Sequence, residues 1–196
     1  MMILLGKSGS GKSTLAKCIK KVMHYVQILE QTTRNIRPGE ENGKDYWYVS
    51  EPNYMQQLEN DELVGSMMFN RYQNGECQNV YYGTRKAHIE QNVEKAILVT
   101  NADAAKAIKQ YDKEHGNTYK IFVVHVKVNE EEQRERLKNR GDNPIEIDKR
   151  IASDAIALAD IDTYADYTVD NSNTSPGCAA EEIVQAYSRY LASLGE

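Results

Sequence analysis

The stretch Gly6-Lys7-Ser8-Gly9-Ser10-Gly11-Lys12-Ser13 fits the pattern G-x-x-x-x-G-K-[ST] at every constrained position. Its flanks supply the setting that the pattern needs. Met2 to Leu5 form an apolar run suited to a buried parallel strand, and Lys12 to Met23 suit a helix. A flexible Gly/Ser linker would need neither flank. Glycines at 6, 9 and 11 allow tight turning, so the backbone of Gly6, Ser8, Gly9, Ser10 and Gly11 can aim N–H groups at phosphate oxygens, at the positive end of the following helix. In such a loop Lys12 reaches the β- and γ-phosphates of a nucleotide, the Ser13 hydroxyl is the Mg²⁺ ligand, and Thr14 completes the cradle. A nucleoside triphosphate and Mg²⁺ are therefore the expected ligands of the loop.

Outward from the loop, the 196 residues suffice for one sizeable core carrying an insertion. A net charge of −5 with scattered basic residues argues against a general nucleic-acid binder, so anionic ligands would be met by a few placed arginines. No apolar run approaches the roughly 20 residues of a membrane span, and Met1 to Leu5 is too short for a signal-peptide core. A cytoplasmic protein with no membrane partner is expected. Cys18, Cys77 and Cys178 are odd in number and far apart, which suits reduced structural thiols, and the isolated histidines 24, 88, 115 and 125 suit surface or packing positions.

Tyr25 to Gln31 is expected to be the second strand, and ligands of open α/β sheets lie beyond the carboxyl ends of strands. At that end stand Arg34 and Arg37, close enough together to clamp a phosphate bidentately opposite the loop; the same pair would also suit a solvated basic turn. Further strands are expected at Lys95 to Asn101, Tyr119 to Val126 and Tyr164 to Asn171, with helices near Pro52 to Glu59, Thr84 to Glu94, Ala102 to Glu114, from Asn129 as N-cap to Arg140, Ile151 to Ile161, and from Pro176. In the last of these Ile183, Tyr187, Tyr190 and Leu194 share a packing stripe. The expected fold is a three-layer α/β/α arrangement around a parallel five-stranded sheet.

Thr32-Thr33-Arg34 with Arg37-Pro38-Gly39-Glu40, then Asp45-Tyr46, Val49-Ser50 and Tyr81-Tyr82-Gly83-Thr84, resembles the guanylate kinase family. The likeness continues through Arg136-Leu137-Lys138-Asn139-Arg140-Gly141, Lys149-Arg150 and the strand ending at Asn171. It implies a P-loop kinase that moves the γ-phosphoryl of ATP to a nucleoside monophosphate, with GMP or dGMP as the favoured acceptor. It further implies that Arg34, Arg37, Tyr46 and Tyr82 hold the acceptor's phosphate, that Glu40 and Thr84 are acceptor contacts, and that Asn171 lies near the adenine. Arg140 and Arg150, with Arg136 as a third, would be lid arginines closing over ATP. The core would comprise 1–31, 86–135 and 151–196, the acceptor-binding insertion 32–85 and the lid 136–150, in a monomer or homodimer.

The chain departs from the family pattern at the base-contact positions. Glu30-Gln31 replace serines before Thr32, no glutamate of the expected register precedes Tyr81, and Val99 and Asn101 stand where aspartates are expected. Glu62 or Glu76 could take the place of that glutamate, and Asp103 or Glu30 could bring a carboxylate near Mg²⁺, although neither stands in the family's register, so the Ser13 hydroxyl, the nucleotide phosphates and water are expected to hold the metal. These changes keep open a kinase acting on another phosphorylated acceptor, such as ribose 1,5-bisphosphate. A non-catalytic binding module is the third reading, which the presence of Lys12 and Ser13 disfavours.

Overall fold

The computed structural model describes residues 1–73, 76–92 and 95–195. Strand β1 (Met2–Leu5) is buried along its whole length at the centre of a five-stranded sheet. Its neighbours are β7 (Ala96–Val99) and β8 (Phe122–Lys127), flanked in turn by β2 (Val26–Ile28) and β9 (Tyr167–Asp170), and every pairing is parallel. Alternation sends side chains to opposite faces, which explains the three layers. Met2 and Leu4 join Leu15, Ile19, Ile183 and Tyr187 of helices α1 (Lys12–Met23) and α7 (Pro176–Ser193). Ile3 and Leu5 join Ile108 of α4 (Ala102–Glu114) on the other side.

Residues 31 to 85 build a second, four-stranded sheet of order β4-β3-β6-β5, made of β3 (Gln31–Thr32), β4 (Trp47–Tyr48), β5 (Leu63–Gln73) and β6 (Glu76–Arg85). Helix α2 (Glu51–Glu59) starts at Ser50, whose hydroxyl accepts the Asn53 amide. This sheet packs on α4, with Val64 in one cluster with Ala105 and Ile108, and the approach is tight at Gly65, where a Cβ, at φ 63°, would lie 2.9 Å from the Cβ of Ala104. Glycine is required there both by its backbone and by its neighbour.

Several expectations are corrected. The strand expected over Tyr25 to Gln31 is two strands in two sheets, because the chain turns at Leu29-Glu30 and Gln31 and Thr32 pair with Gly83 and Tyr82. Asn70 to Gln73 and Glu76 to Val80, a polar stretch that reads as a loop from its composition, are instead the far ends of β5 and β6, paired as far as Gln73 with Glu76, and 74–75 lie outside the described residues. The helix expected over Thr84 to Glu94 is the short α3 (Lys86–Glu90), since Thr84 and Arg85 complete β6, and 93–94 lie outside the described residues. Helix α5 (Glu130–Asn139) does start at the Asn129 cap. Helix α6 (Pro144–Ala157), however, begins seven residues ahead of the expected Ile151, because Asn143 caps Ile145 and Pro144 opens the first turn; residue 150 thus falls inside a helix. Leu194 is 47 % exposed and leaves the packing stripe. All three cysteines are free, and Cys77 and Cys178 are exposed rather than structural.

Candidate active site

The octet turns from β1 into α1 with no side-chain hydrogen bond capping the helix, which leaves the main-chain N–H groups of its first turn open to a ligand. Gly11, at φ 93°, is the residue before the helix, and a Cβ there would run into the Asn171 amide group. Asn171, 4 % exposed, donates from Nδ2 to the Ser10 carbonyl at 2.8 Å. Arg136 donates to the carbonyls of Gly9, Ser10 and Asn171, the last at 2.7 Å, and to Glu132 at 2.8 Å. Both residues therefore brace the loop from behind. Lys12 folds over it, Nζ donating to the carbonyls of Gly6 and Lys7 at 2.8 Å each. Burial lowers its ammonium to about 8, against the favourable charge of Asp154. The Ser8 amide donates to Asp154 Oδ2 at 2.6 Å. Ser13 and Thr14 are exposed on the first turn of α1.

Facing the loop is the end of β3. Arg34, 5 % exposed, is gripped by Glu40 through two 2.7 Å bonds and lies over the Tyr46 and Tyr48 rings at 4.9 and 5.4 Å. Glu40 also accepts from Tyr48 Oη at 2.6 Å and from the Arg37 amide at 2.9 Å. Burial would raise the Glu40 carboxyl, but these bonds outweigh it and pull it down to about 2. Tyr46 packs edge-on to Tyr82 at 6.0 Å, and burial raises its hydroxyl, helped by the charge of Glu30. Tyr82 and Thr84 share one face of β6; the Thr84 hydroxyl is fully buried with no hydrogen-bond partner among the described residues.

Between the two sides runs a cleft lined by Ser13, Lys17, Glu30, Arg34, Arg37 and Arg140 among others. Arg140 is held by Asp142, which also lies 3.4 Å from Arg150. Burial raises the Asp142 carboxyl, and the hydrogen bond and charge of Arg140, then the charges of Arg150 and Arg37, bring it below its ordinary value. Arg150 is half-buried and does not line the cleft. Glu30 is 5 % exposed, accepts from Thr100 Oγ1 at 2.5 Å, and is pushed by burial up to about 7, against the Thr100 bond and the charge of Lys12. Of the two carboxylates considered for the metal, Glu30 is thus in the cleft, whereas Asp103 is exposed on the first turn of α4. Glu62 is spent on Arg85 at 2.8 Å and Glu76 is exposed at the hairpin end, so neither lines the cleft. The residues that sequence reasoning passed over are Tyr48, Asp142 and Asp154. Asp142 carried a signal, an acid two residues from Arg140; Asp154 carried none, since only the fold brings α6 to the loop.

A family model described as guanylate kinase matches residues 1–186. The chain belongs to the guanylate kinase family. A guanylate kinase from Wolbachia sp. subsp. Brugia malayi is 30% identical over 177 residues, covering 88% of this chain and 85% of that one. One from Rickettsia bellii is 30% identical over 178 residues, covering 88% and 86%. Among solved structures, guanylate kinase from Anaplasma phagocytophilum superposes with a TM-score of 0.66 at 21% identity, covering 97% of this chain and 85% of that one. Shikimate kinase from Acinetobacter baumannii superposes at 0.51 and 11% identity, covering 96% and 92%. Family members are phosphotransferases that place phosphate on a phosphate acceptor, and the three-layer α/β fold with its parallel sheet is the frame shared with these kinases.

Proposed function

We propose that the protein is an ATP-dependent nucleoside monophosphate kinase that converts ATP and GMP or dGMP into ADP and GDP or dGDP. One observation carries the reading: Ser13 of the loop and Arg34, Arg37 and Arg140 line a single cleft, so two anionic substrates can meet end to end. In this reading the amides from Gly6 to Ser13 and the Lys12 ammonium hold the triphosphate. Arg34, Arg37, Tyr46 and Tyr82 hold the acceptor's phosphate, with Glu40 setting the orientation of Arg34 and Thr84 supplying a hydroxyl. Asn171 shapes the nucleotide side, and Arg136 keeps the loop in place. Arg140 and Arg150, released from Asp142, neutralise charge that spreads over the moving phosphoryl group.

The acceptor's phosphate oxygen is already an anionic nucleophile, so positioning and charge neutralisation do the work. The donor set suits Mg²⁺, since the Ser13 hydroxyl and Glu30 carboxylate are hard oxygen ligands on one cleft and phosphates and water complete such a shell. When bound, Mg²⁺ neutralises developing charge between the phosphates. Residues 32–85 would serve as the acceptor-binding unit and 136–150 as the lid, drawing together to exclude water. The proposed setting is the cytoplasm, as a monomer or homodimer; among the described residues no helix is long and apolar enough to cross a membrane.

A second reading has a specific observation behind it. Glu62 and Glu76 lie off the cleft while the carboxylate of Glu30 lies in it, which favours a phosphorylated acceptor other than GMP. An ATP-coupled assay over nucleoside monophosphates and a ribose bisphosphate separates the two: turnover of GMP or dGMP supports the first, and turnover of the sugar phosphate alone removes it. ATP binding that survives Lys12→Ala undiminished, with no turnover of any acceptor, would instead mark a non-catalytic module.

A further inference from the structure

The carboxylate of Asp154 stands where the loop presents itself to anions. Oδ2 accepts the Ser8 amide at 2.6 Å and the Gln133 amide nitrogen at 3.2 Å, and its charge is the main one that favours the protonated form of Lys12. A main-chain N–H of the loop and the loop lysine are the partners that a nucleotide's outer phosphate takes in this class of site. Gln133 itself is fully buried on α5, and Asp154 is half-buried near the end of α6, one turn beyond Arg150. The remaining charges felt at Lys12 are Arg140, which opposes its protonation, and Glu30, which supports it more weakly than Asp154 does.

We infer that Asp154 is an internal stand-in for phosphate, a positioning residue that acts through the Ser8 amide and Lys12 and has to be expelled from the loop for ATP to seat. One amide proton cannot be shared at full strength by two anions, and a carboxylate left beside the triphosphate would repel it. Expulsion moves α6, the helix that carries Arg150, so entry of ATP is tied to release of the arginine cluster at Asp142. The inference rests on the ATP-dependent reading above. It makes Asp154 a determinant of ATP affinity that leaves acceptor affinity alone.

The experiment measures the dissociation constants of ATP and of inorganic tripolyphosphate for wild type, Asp154→Ala and Asp154→Asn by calorimetry, with KM for ATP and for the acceptor alongside. Asn retains the shape and an oxygen able to accept from Ser8 but drops the charge, so it carries the test should the alanine variant fold poorly. ATP and tripolyphosphate should bind about tenfold more tightly to Asp154→Asn, as expected for losing a competing charged hydrogen bond. KM for ATP should fall with them while KM for the acceptor stays. Unchanged or weaker ATP binding overturns the inference, since it would mean that Asp154 scaffolds the loop with ATP in place. If wild type itself binds no ATP, the kinase reading falls with it; wild-type binding without tightening in the variant sinks the inference alone.

Discussion

Glu40 and Arg34 meet fork to fork, each carboxylate oxygen 2.7 Å from a different guanidinium nitrogen, beneath the rings of Tyr46 and Tyr48. A planar, two-pronged contact of this kind cannot be reproduced by an ammonium. Arg34→Lys should therefore raise KM for the phosphorylated acceptor by about tenfold or more while leaving ATP affinity unchanged, as read from initial rates with each substrate varied in turn.

The same pair gives the protein an acid-sensitive element. The Glu40 carboxyl titrates at about 2 in the folded chain against an ordinary 4.5, so its contribution is complete above 4.5 and is lost as pH falls through 2. Urea melts between pH 2 and 6 should show Glu40→Gln lying below wild type by up to about 3 kcal/mol at the upper end and converging with it at the lower. Parallel curves would contradict the assignment.

Glu30 has the opposite sign. Its folded value of about 7 exceeds 4.5, so the folded chain holds the proton more tightly and the associated stability, full below 4.5, is lost as pH rises through 7. Glu30→Gln, which removes the titration and keeps a partner for Thr100, should gain on wild type across that window and level off above it, by up to about 3 kcal/mol. Thermal melts at pH 4.5, 6 and 8 without nucleotide or divalent metal measure the gap.

Lys12→Met should abolish phosphoryl transfer, by about 100-fold at the least, yet leave the fold intact or firmer. Burial lowers the ammonium from 10.5 to about 8, so wild type gains stability between pH 8 and 10.5 as the unfolded chain retains a proton that the folded chain gives up. The methionine variant should lack that gain, which stability measurements at pH 7.5 and 10 would reveal.

Gly65→Val probes the docking of the second sheet. The new side chain would press on Ala104 of α4 from a backbone conformation that suits glycine, costing about 1–3 kcal/mol. Because β5 belongs to the sheet that carries Tyr82 and leads into Arg34 just beyond β3, KM for the acceptor should rise more than KM for ATP.

Which of these features are legible in the chain follows from how locally each is determined. The loop is, because its glycines, its lysine and the apolar run of β1 answer to constraints within a dozen residues. The arginines at the end of β3 are legible by spacing, and their meeting with Ser13 across one cleft needed the coordinates. The break at Leu29-Glu30 is hidden because no glycine or proline marks it; only pairing of Gln31 with Gly83, 52 residues on, moves the chain to another sheet. Polar composition disguises the far ends of β5 and β6, whose pairing across the strands extends as far as Gln73 with Glu76. Asp154 is invisible for the same reason, since its partner Ser8 is 146 residues away.

Gln31 and Gly83 sit side by side in register, so the chain leaves the core and re-enters it at nearly one spot. A segment whose ends already touch can be exchanged like a cartridge, lengthened or reshaped, without stretching the parallel sheet beneath it. On the proposed reading, acceptor choice could thus drift over generations while the loop proposed to grip the triphosphate is inherited untouched.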